Sequence, residues 1–113
     1  MTYTVTGFVS LPPDTPAGPA AYILVEVRDV SRADAPSIVV GAQVQRDIEL
    51  APGGRVPFSV KVPDLDPTAS YGLRVHIDIS GTGTLRTGDL SSTQAVPVRA
   101  GATEGLEVSV TVV

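Results

Sequence analysis

Apolar and polar residues alternate along several short stretches of this chain. The clearest is Tyr71–Ser80, where apolar residues take every second position and Arg74, His76 and Asp78 lie between them. Successive side chains of a β-strand point to opposite faces, so this alternation predicts a strand with one buried face. The same criterion predicts strands at Thr2–Val9, Tyr22–Arg28, Ser37–Leu50, Val56–Val62, Tyr71–Ser80, Thr93–Val98 and Leu106–Val112.

Glycine and proline separate these stretches. The chain has 11 Gly and 10 Pro, and no segment shows the 3.6-residue apolar period of a helix. About seven short strands at this spacing are typical of an all-β protein with two packed sheets. We therefore predict a single domain over residues 1–113, an antiparallel β-sandwich with Ig-like, Greek-key connections.

Two strands carry additional signals. Pro57 cannot donate a backbone hydrogen bond, which favours an edge position for its strand. In Ser37–Leu50, Arg46 interrupts the apolar alternation and indicates a bulge or bend. The inward positions predicted for the first part of that strand are Ile38, Val40, Ala42 and Val44.

The segment Leu65–Tyr71 has the pattern of a tyrosine corner. Leu65, Asp66 and Pro67 form a turn, and Tyr71 begins the next strand. In such corners the phenol oxygen bonds to backbone a few residues upstream. We expect this contact at Tyr71.

Composition excludes several classes of function. The net charge is −4 and the basic residues do not cluster, so a phosphate-binding surface for nucleic acid is not expected. The absence of cysteine excludes thiolate catalysis and cysteine-bound zinc. No apolar run is long enough to span a membrane, and neither a secretory signal nor a lipobox cysteine is present in this sequence.

Catalytic, cofactor and metal sites are not predicted either. The only histidine, His76, shares its strand phase with Asp78, so both are expected to face solvent or pair across strands. The acidic pairs Asp29 with Asp34 and Asp64 with Asp66 offer too few oxygens for calcium, and the second pair is better explained as turn formers. We therefore expect a protein that is not an enzyme.

The remaining candidates concern binding. Phe8, Leu24 and Val39 are out of phase with the apolar faces of their strands, and could form a strip that binds a partner protein. The alternative is that a loop or a sheet edge covers them. Arg32 and Asp34 lie in the polar loop Asp29–Pro36, which is either a recognition loop or a self-capped connection.

Several segments together resemble a known family. They are Leu11–Asp14, Ala21–Pro36, Val56–Phe58, Leu65–Pro67, Tyr71–Val75, Val96–Val98 and Leu106–Val108. In this order they are similar to the YbaY-type family of bacterial envelope lipoproteins, which is grouped with the pilotin lipoproteins of type III secretion. The run Asp29–Pro36 is the most specific part of this resemblance.

The resemblance implies a β-sandwich with a non-enzymatic role in the cell envelope or periplasm. For the pilotin branch it implies binding a secretin subunit and helping it reach the outer membrane. We therefore expect a protein-binding or chaperone-like module with another envelope protein, secretin-like, as its partner. The alternative is an accessory β-sandwich domain that binds a small ligand or carbohydrate. Without a lipobox cysteine in this sequence, a soluble or cytoplasmic protein also remains open.

Overall fold

A computed structural model describes residues 2–32, 36–81, 87–92, 96–99, 101 and 103–113. Within these ranges β-strands are the only regular secondary structure, and they confirm the all-β class. In chain order they are β1 (Thr2–Ser10), β2 (Gly18–Asp29), β3 (Ile38–Leu50), β4 (Arg55–Pro63), β5 (Tyr71–Asp78), β6 (Leu90–Ser92), β7 (Val96–Val98) and β8 (Leu106–Val112).

The strands form one continuous sheet in the order β3-β2-β5-β6-β8-β1-β4, and β7 pairs with β5 beside β6. Strand β8 makes the sheet continuous. Its first part, Leu106–Ser109, pairs with β1, and its last part, Val110–Val112, pairs with β6. The sheet curls so far that its edge strands β3 and β4 pack against each other, which nearly closes it into a barrel.

The predicted arrangement of two sheets is not confirmed by this topology. An alternating strand buries one face whether the sheet packs on a second sheet or curls around itself, so the pattern cannot separate the two. The prediction of purely antiparallel pairing is wrong at one place, because β1 and β8 run parallel. The edge position predicted from Pro57 is confirmed, since β4 ends the strand order.

Glutamine side chains join the two edges of the sheet. The backbone N–H of Ser59 on β4 donates to Gln43 Oε1 at 2.9 Å, and Gln45 Nε2 donates to the carbonyl of Pro57 at 2.8 Å. The two side-chain amides also bond to each other at 3.3 Å. We call Gln43, Gln45, Pro57 and Ser59 the glutamine seam.

The interior is filled by aliphatic side chains from every strand of the sheet. Fully buried members include Val5, Val9, Ile23, Val25, Val27, Leu50, Val60, Val62, Leu73, Ile77, Leu90 and Val98. Burying a Val, Leu or Ile side chain stabilises a fold by about 1.5–3 kcal/mol. This cluster therefore holds the curled sheet together.

The inward positions predicted for β3 are mostly wrong. Ile38, Ala42 and Val44 are exposed, whereas Val40 packs against the core. Asp47 has a left-handed backbone, with φ at 55°, and a bulge shifts the β2–β3 register next to Val27. Between these irregularities the inward positions, opposite Ile23 and Val25, are held by Gln45 and Gln43. The irregularity predicted at Arg46 is therefore found one residue later, at Asp47.

The turn after β4 contains the expected tyrosine contact. The N–H of Asp66 donates to Tyr71 Oη at 2.9 Å, and Tyr71 is buried. The Asp66 carboxylate accepts from the N–H and the hydroxyl of Thr68 at 2.8 and 2.6 Å. These two bonds lower the pKa of Asp66 and give it the turn-forming role predicted from sequence.

Candidate functional site

Three neighbouring strands present one outer face to solvent. Residues directly opposite each other in a sheet share a face, so the ladders of β2 with β3 and β5 define its rows. Tyr22 lies between Arg46 and Asp78, Leu24 between Val44 and His76, Glu26 between Ala42 and Arg74, and Arg28 between Val39 and Gly72. We call this surface the β2 face.

The β2 face has an apolar strip along β3. Val39 is 42 % exposed and Val44 is 49 % exposed, while Leu24 is half-buried beside Val44. Ile38, at the start of β3, is also exposed, but it directly precedes Val39 and so points to the opposite face of the strand. Two exposed valines beside a half-buried leucine on one face form an apolar patch of the kind that contacts other proteins.

Arginines surround this strip. Arg46 and Arg74 are exposed on the face. Arg28 donates to Ser37 Oγ at 2.9 Å and to both carboxylate oxygens of Glu26, at 3.1 and 3.2 Å. Because Glu26 is already paired with Arg28, the exposed charge on the face is positive, although the whole chain carries −4.

The predicted strip is only partly assembled. Leu24 and Val39 both lie on the β2 face. Phe8 lies on β1, opposite Pro57 of β4 and Glu107 of β8, and β1 is separated from β2 by the edge strands β4 and β3. The sequence analysis did not identify Val44 as a surface residue, because the period-2 pattern of its strand predicts a core position for it.

The loop after β2 is largely self-capped in its described part. Ser31 N–H donates to Asp29 Oδ1 at 2.9 Å, and Ser70 N–H donates to Ser31 Oγ at 2.8 Å. Hydrogen bonds from the hydroxyl of Ser31, and then from its N–H, lower the pKa of Asp29. Arg32 lines a small cavity of about 170 Å³ together with Asp29, Ser31, Pro36 and Ile38. Asp34, the other predicted recognition residue, lies outside the described residues.

An imidazole and two carboxylates meet at one end of the β2 face. The ligand atoms of His76, Asp78 and Asp89 all lie within 4.8 Å of one another. His76 Nε2 is 3.5 Å from Asp89 Oδ2, and the rings of Tyr22 and His76 meet edge to face with centroids 6.0 Å apart. His76 thus pairs with the segment that enters the neighbouring strand β6.

The prediction that Asp78 faces solvent is wrong, since its exposed fraction is 0 %. Its Oδ1 accepts the N–H groups of Ser80 and Gly81, at 3.1 and 2.7 Å, and so closes the turn that leaves β5. The Tyr22 hydroxyl also donates to Asp78. Burial first, then this bond and the charges of Asp78 and Asp89, raise the pKa of Tyr22.

Among the described residues, this cluster is not arranged as a nucleophilic triad. Ser91 lies opposite His76, but its hydroxyl donates to the carbonyl of Ser92 at 3.3 Å. His76 Nε2 is directed to a carboxylate and not to a hydroxyl. A Ser-His-Asp relay needs the imidazole between the two groups. The arrangement can accept hydrogen bonds or hold a cation.

The described residues contain no helix with the length and hydrophobicity of a membrane span.

Comparison with known proteins identifies the fold and the family. No curated protein sequence matches the chain. One solved structure, an alternative pilotin from the type II secretion system of Vibrio cholerae, has the same fold, with a TM-score of 0.76 and 21% sequence identity. The match covers 100% of this chain and 98% of that chain.

Residues 1–108 match the family of the type III secretion system lipoprotein chaperone YscW. This match covers nearly the whole chain, and the family description names a chaperone rather than an enzyme. It confirms the predicted non-catalytic, chaperone-like role in the cell envelope. The chain therefore belongs to the family of type III secretion system lipoprotein chaperones.

Proposed function

We propose that this protein is a pilotin-like chaperone that holds a segment of a secretin-like envelope protein on the β2 face. The observation that carries the proposal is the exposure of Val39 and Val44 beside Leu24. Apolar side chains grouped on one face are a typical protein-binding surface. Membership of a family of secretion chaperones supports a protein as the ligand.

The charges on the face favour a particular type of partner segment. Arg46 and Arg74 are exposed next to the apolar strip, and Glu26 is neutralised by Arg28. A segment with apolar side chains flanked by Asp or Glu would complement this surface. The acidic character of the rest of the chain would disfavour binding of the same segment elsewhere.

The exposed position of Val44 allows a direct test. In Val44→Asp the introduced carboxylate stays in water when the protein is free, but would be desolvated in the complex. We expect its affinity for the secretin subunit of the same secretion system to fall by at least about tenfold, as measured by calorimetry.

Phe8→Asp is the matched control, because Phe8 is 44 % exposed but lies on β1. Circular dichroism would verify that both variants fold. Loss of binding in Phe8→Asp with full binding in Val44→Asp would move the site to β1 and contradict the proposal.

The alternative function, binding of a small ligand or carbohydrate, has weaker support. The cavity beside Arg32 is small, at about 170 Å³. A larger cavity of about 490 Å³ lies at the tyrosine corner, between the turn 66–70 and Arg99. Its single aromatic residue, Tyr71, already uses its oxygen to accept the N–H of Asp66. A closer relation to the YbaY-type lipoproteins rests on the segments quoted for it, above all Asp29–Pro36, and stays a prediction.

A further inference from the structure

We propose that His76, Asp78 and Asp89 bind one divalent transition-metal cation at the end of the β2 face. The site does not depend on the secretin-binding proposal. It would tie the end of β5, which carries His76 and Asp78, to Asp89 at the entrance of β6.

The distances fit a cation better than a direct hydrogen bond. His76 Nε2 and Asp89 Oδ2 are 3.5 Å apart, which is beyond the usual 2.7–3.2 Å of an N–H···O bond. Two ligand atoms bound to the same tetrahedral Zn²⁺ at about 2.0–2.1 Å are separated by roughly 3.4 Å. An atom from each of the three side chains lies within 4.8 Å of the others, so all three can contact one ion after small adjustments.

The backbone already orients both carboxylates. Ile79 N–H donates to Asp89 Oδ1 at 3.0 Å, which turns Oδ2 of the same group towards His76. The N–H groups of Ser80 and Gly81 hold Asp78 Oδ1. Outer hydrogen bonds of this kind fix the ligands in metal sites and reduce the cost of organising them on binding.

Burial shields the carboxylates from bulk water. Asp78 and Asp89 are 0 % and 2 % exposed, and their ligand atoms lie within 4.8 Å of each other. The attraction between a carboxylate and a divalent cation is stronger in such an environment than in water. The half-buried His76 leaves a path from solvent to the site.

The ligand set selects the type of metal. One imidazole with two carboxylates suits Zn²⁺, Mn²⁺ or Fe²⁺. Ca²⁺ and Mg²⁺ prefer oxygen ligands alone, and Ca²⁺ needs six to eight of them. Tyr22 would remain outside the ligand set, as a donor to Asp78.

The test uses Zn²⁺ and the full chain without an affinity tag, after treatment with a chelator. His76 is the only histidine, so its imidazole nitrogen signals report on this site alone in NMR spectra. We expect those signals to shift and to saturate at one equivalent of zinc, with a rise in Tm. Magnesium at the same concentration should leave both unchanged.

His76→Gln is the informative variant, because the described side-chain contacts of His76 include no backbone group, so the fold should be kept. It should lose the zinc-dependent rise in Tm. Glu107→Gln, which alters an exposed carboxylate on β8, should keep it. Unchanged His76 signals in excess zinc would overturn the proposal, and so would an equal rise in Tm for His76→Gln and the parent chain.

Discussion

At the scale of single residues, Tyr71 ties the turn after β4 to the start of β5 through its hydroxyl. Tyr71→Phe removes the acceptor for the Asp66 N–H while keeping the packing of the ring. We expect a loss of about 1 kcal/mol in the free energy of unfolding, measured by urea denaturation.

Tyr3→Phe is the control for this variant, because Tyr3 is 43 % exposed near the start of β1 and its replacement should cost little stability. Equal stability of Tyr71→Phe and the parent chain would show that the corner bond contributes nothing.

Tyr71 and Asp78 show the limits of sequence reasoning at this scale. The Tyr71 contact was predictable because its partner is only five residues away, in a turn that Pro67 helps to define. Asp78 was assigned to the correct outer face but not to a buried site. Its burial depends on the segment carrying Asp89 and on Tyr22 of a neighbouring strand, and local alternation contains no information about either.

At the scale of elements, the parallel pairing of β1 with β8 requires glycine at position 7. A Cβ there would lie 2.7 Å from the carbonyl carbon of Leu106 and 2.9 Å from Phe58 Cζ. Gly7→Ala should therefore push the two strands apart and reduce the free energy of unfolding by about 1–3 kcal/mol, measured by chemical denaturation.

Gly101→Ala is the matched control for Gly7→Ala, since nothing lies within 4 Å of the position of its Cβ. A Gly7→Ala protein as stable as Gly101→Ala would mean that β1 and β8 are not in such close contact.

Strand β3 was predicted at the correct place in the sequence, but the prediction of which of its residues face the core was mostly wrong. Its existence and its irregularity near Arg46 followed from the sequence. Its orientation did not, because Asp47 and the bulge near Val27 each change which face the following residues occupy. Because of the same error, Val44 was expected in the core, although it is exposed in the proposed binding strip.

At the scale of the whole molecule, the all-β class was predictable, whereas the short strand β6 and the closure of the sheet were not. Closure depends on contacts between distant segments, such as the parallel pairing of β8 with β1 and the packing of β3 on β4. The need for glycine at position 41 could not be recognised from the sequence. It arises because a Cβ there would lie 2.5 Å from the carbonyl oxygen of Lys61 on β4.

The glutamine seam leads to a prediction about assembly. In the double variant Gln43→Ala, Gln45→Ala, the backbone groups of Ser59 and Pro57 lose their side-chain partners. An edge strand with unpaired backbone groups can pair with another chain, so we expect dimers or larger species in light scattering after size-exclusion chromatography.

Ser59→Ala serves as the control, because the seam uses the backbone of Ser59 and not its hydroxyl. A double variant with the same oligomeric state as the parent chain at high concentration would show that the amides do not protect the edge.

Many proteins protect their sheet edges with charged side chains, whose mutual repulsion weakens as salt is added. The side-chain amides of Gln43 and Gln45 carry no charge and do not titrate. Resistance to self-association at this edge should therefore persist at high salt concentration and at low pH, under all conditions in which the sheet stays folded. A chaperone with this seam should keep its own sheet edges paired with each other, whatever the ionic strength at which it meets an apolar client.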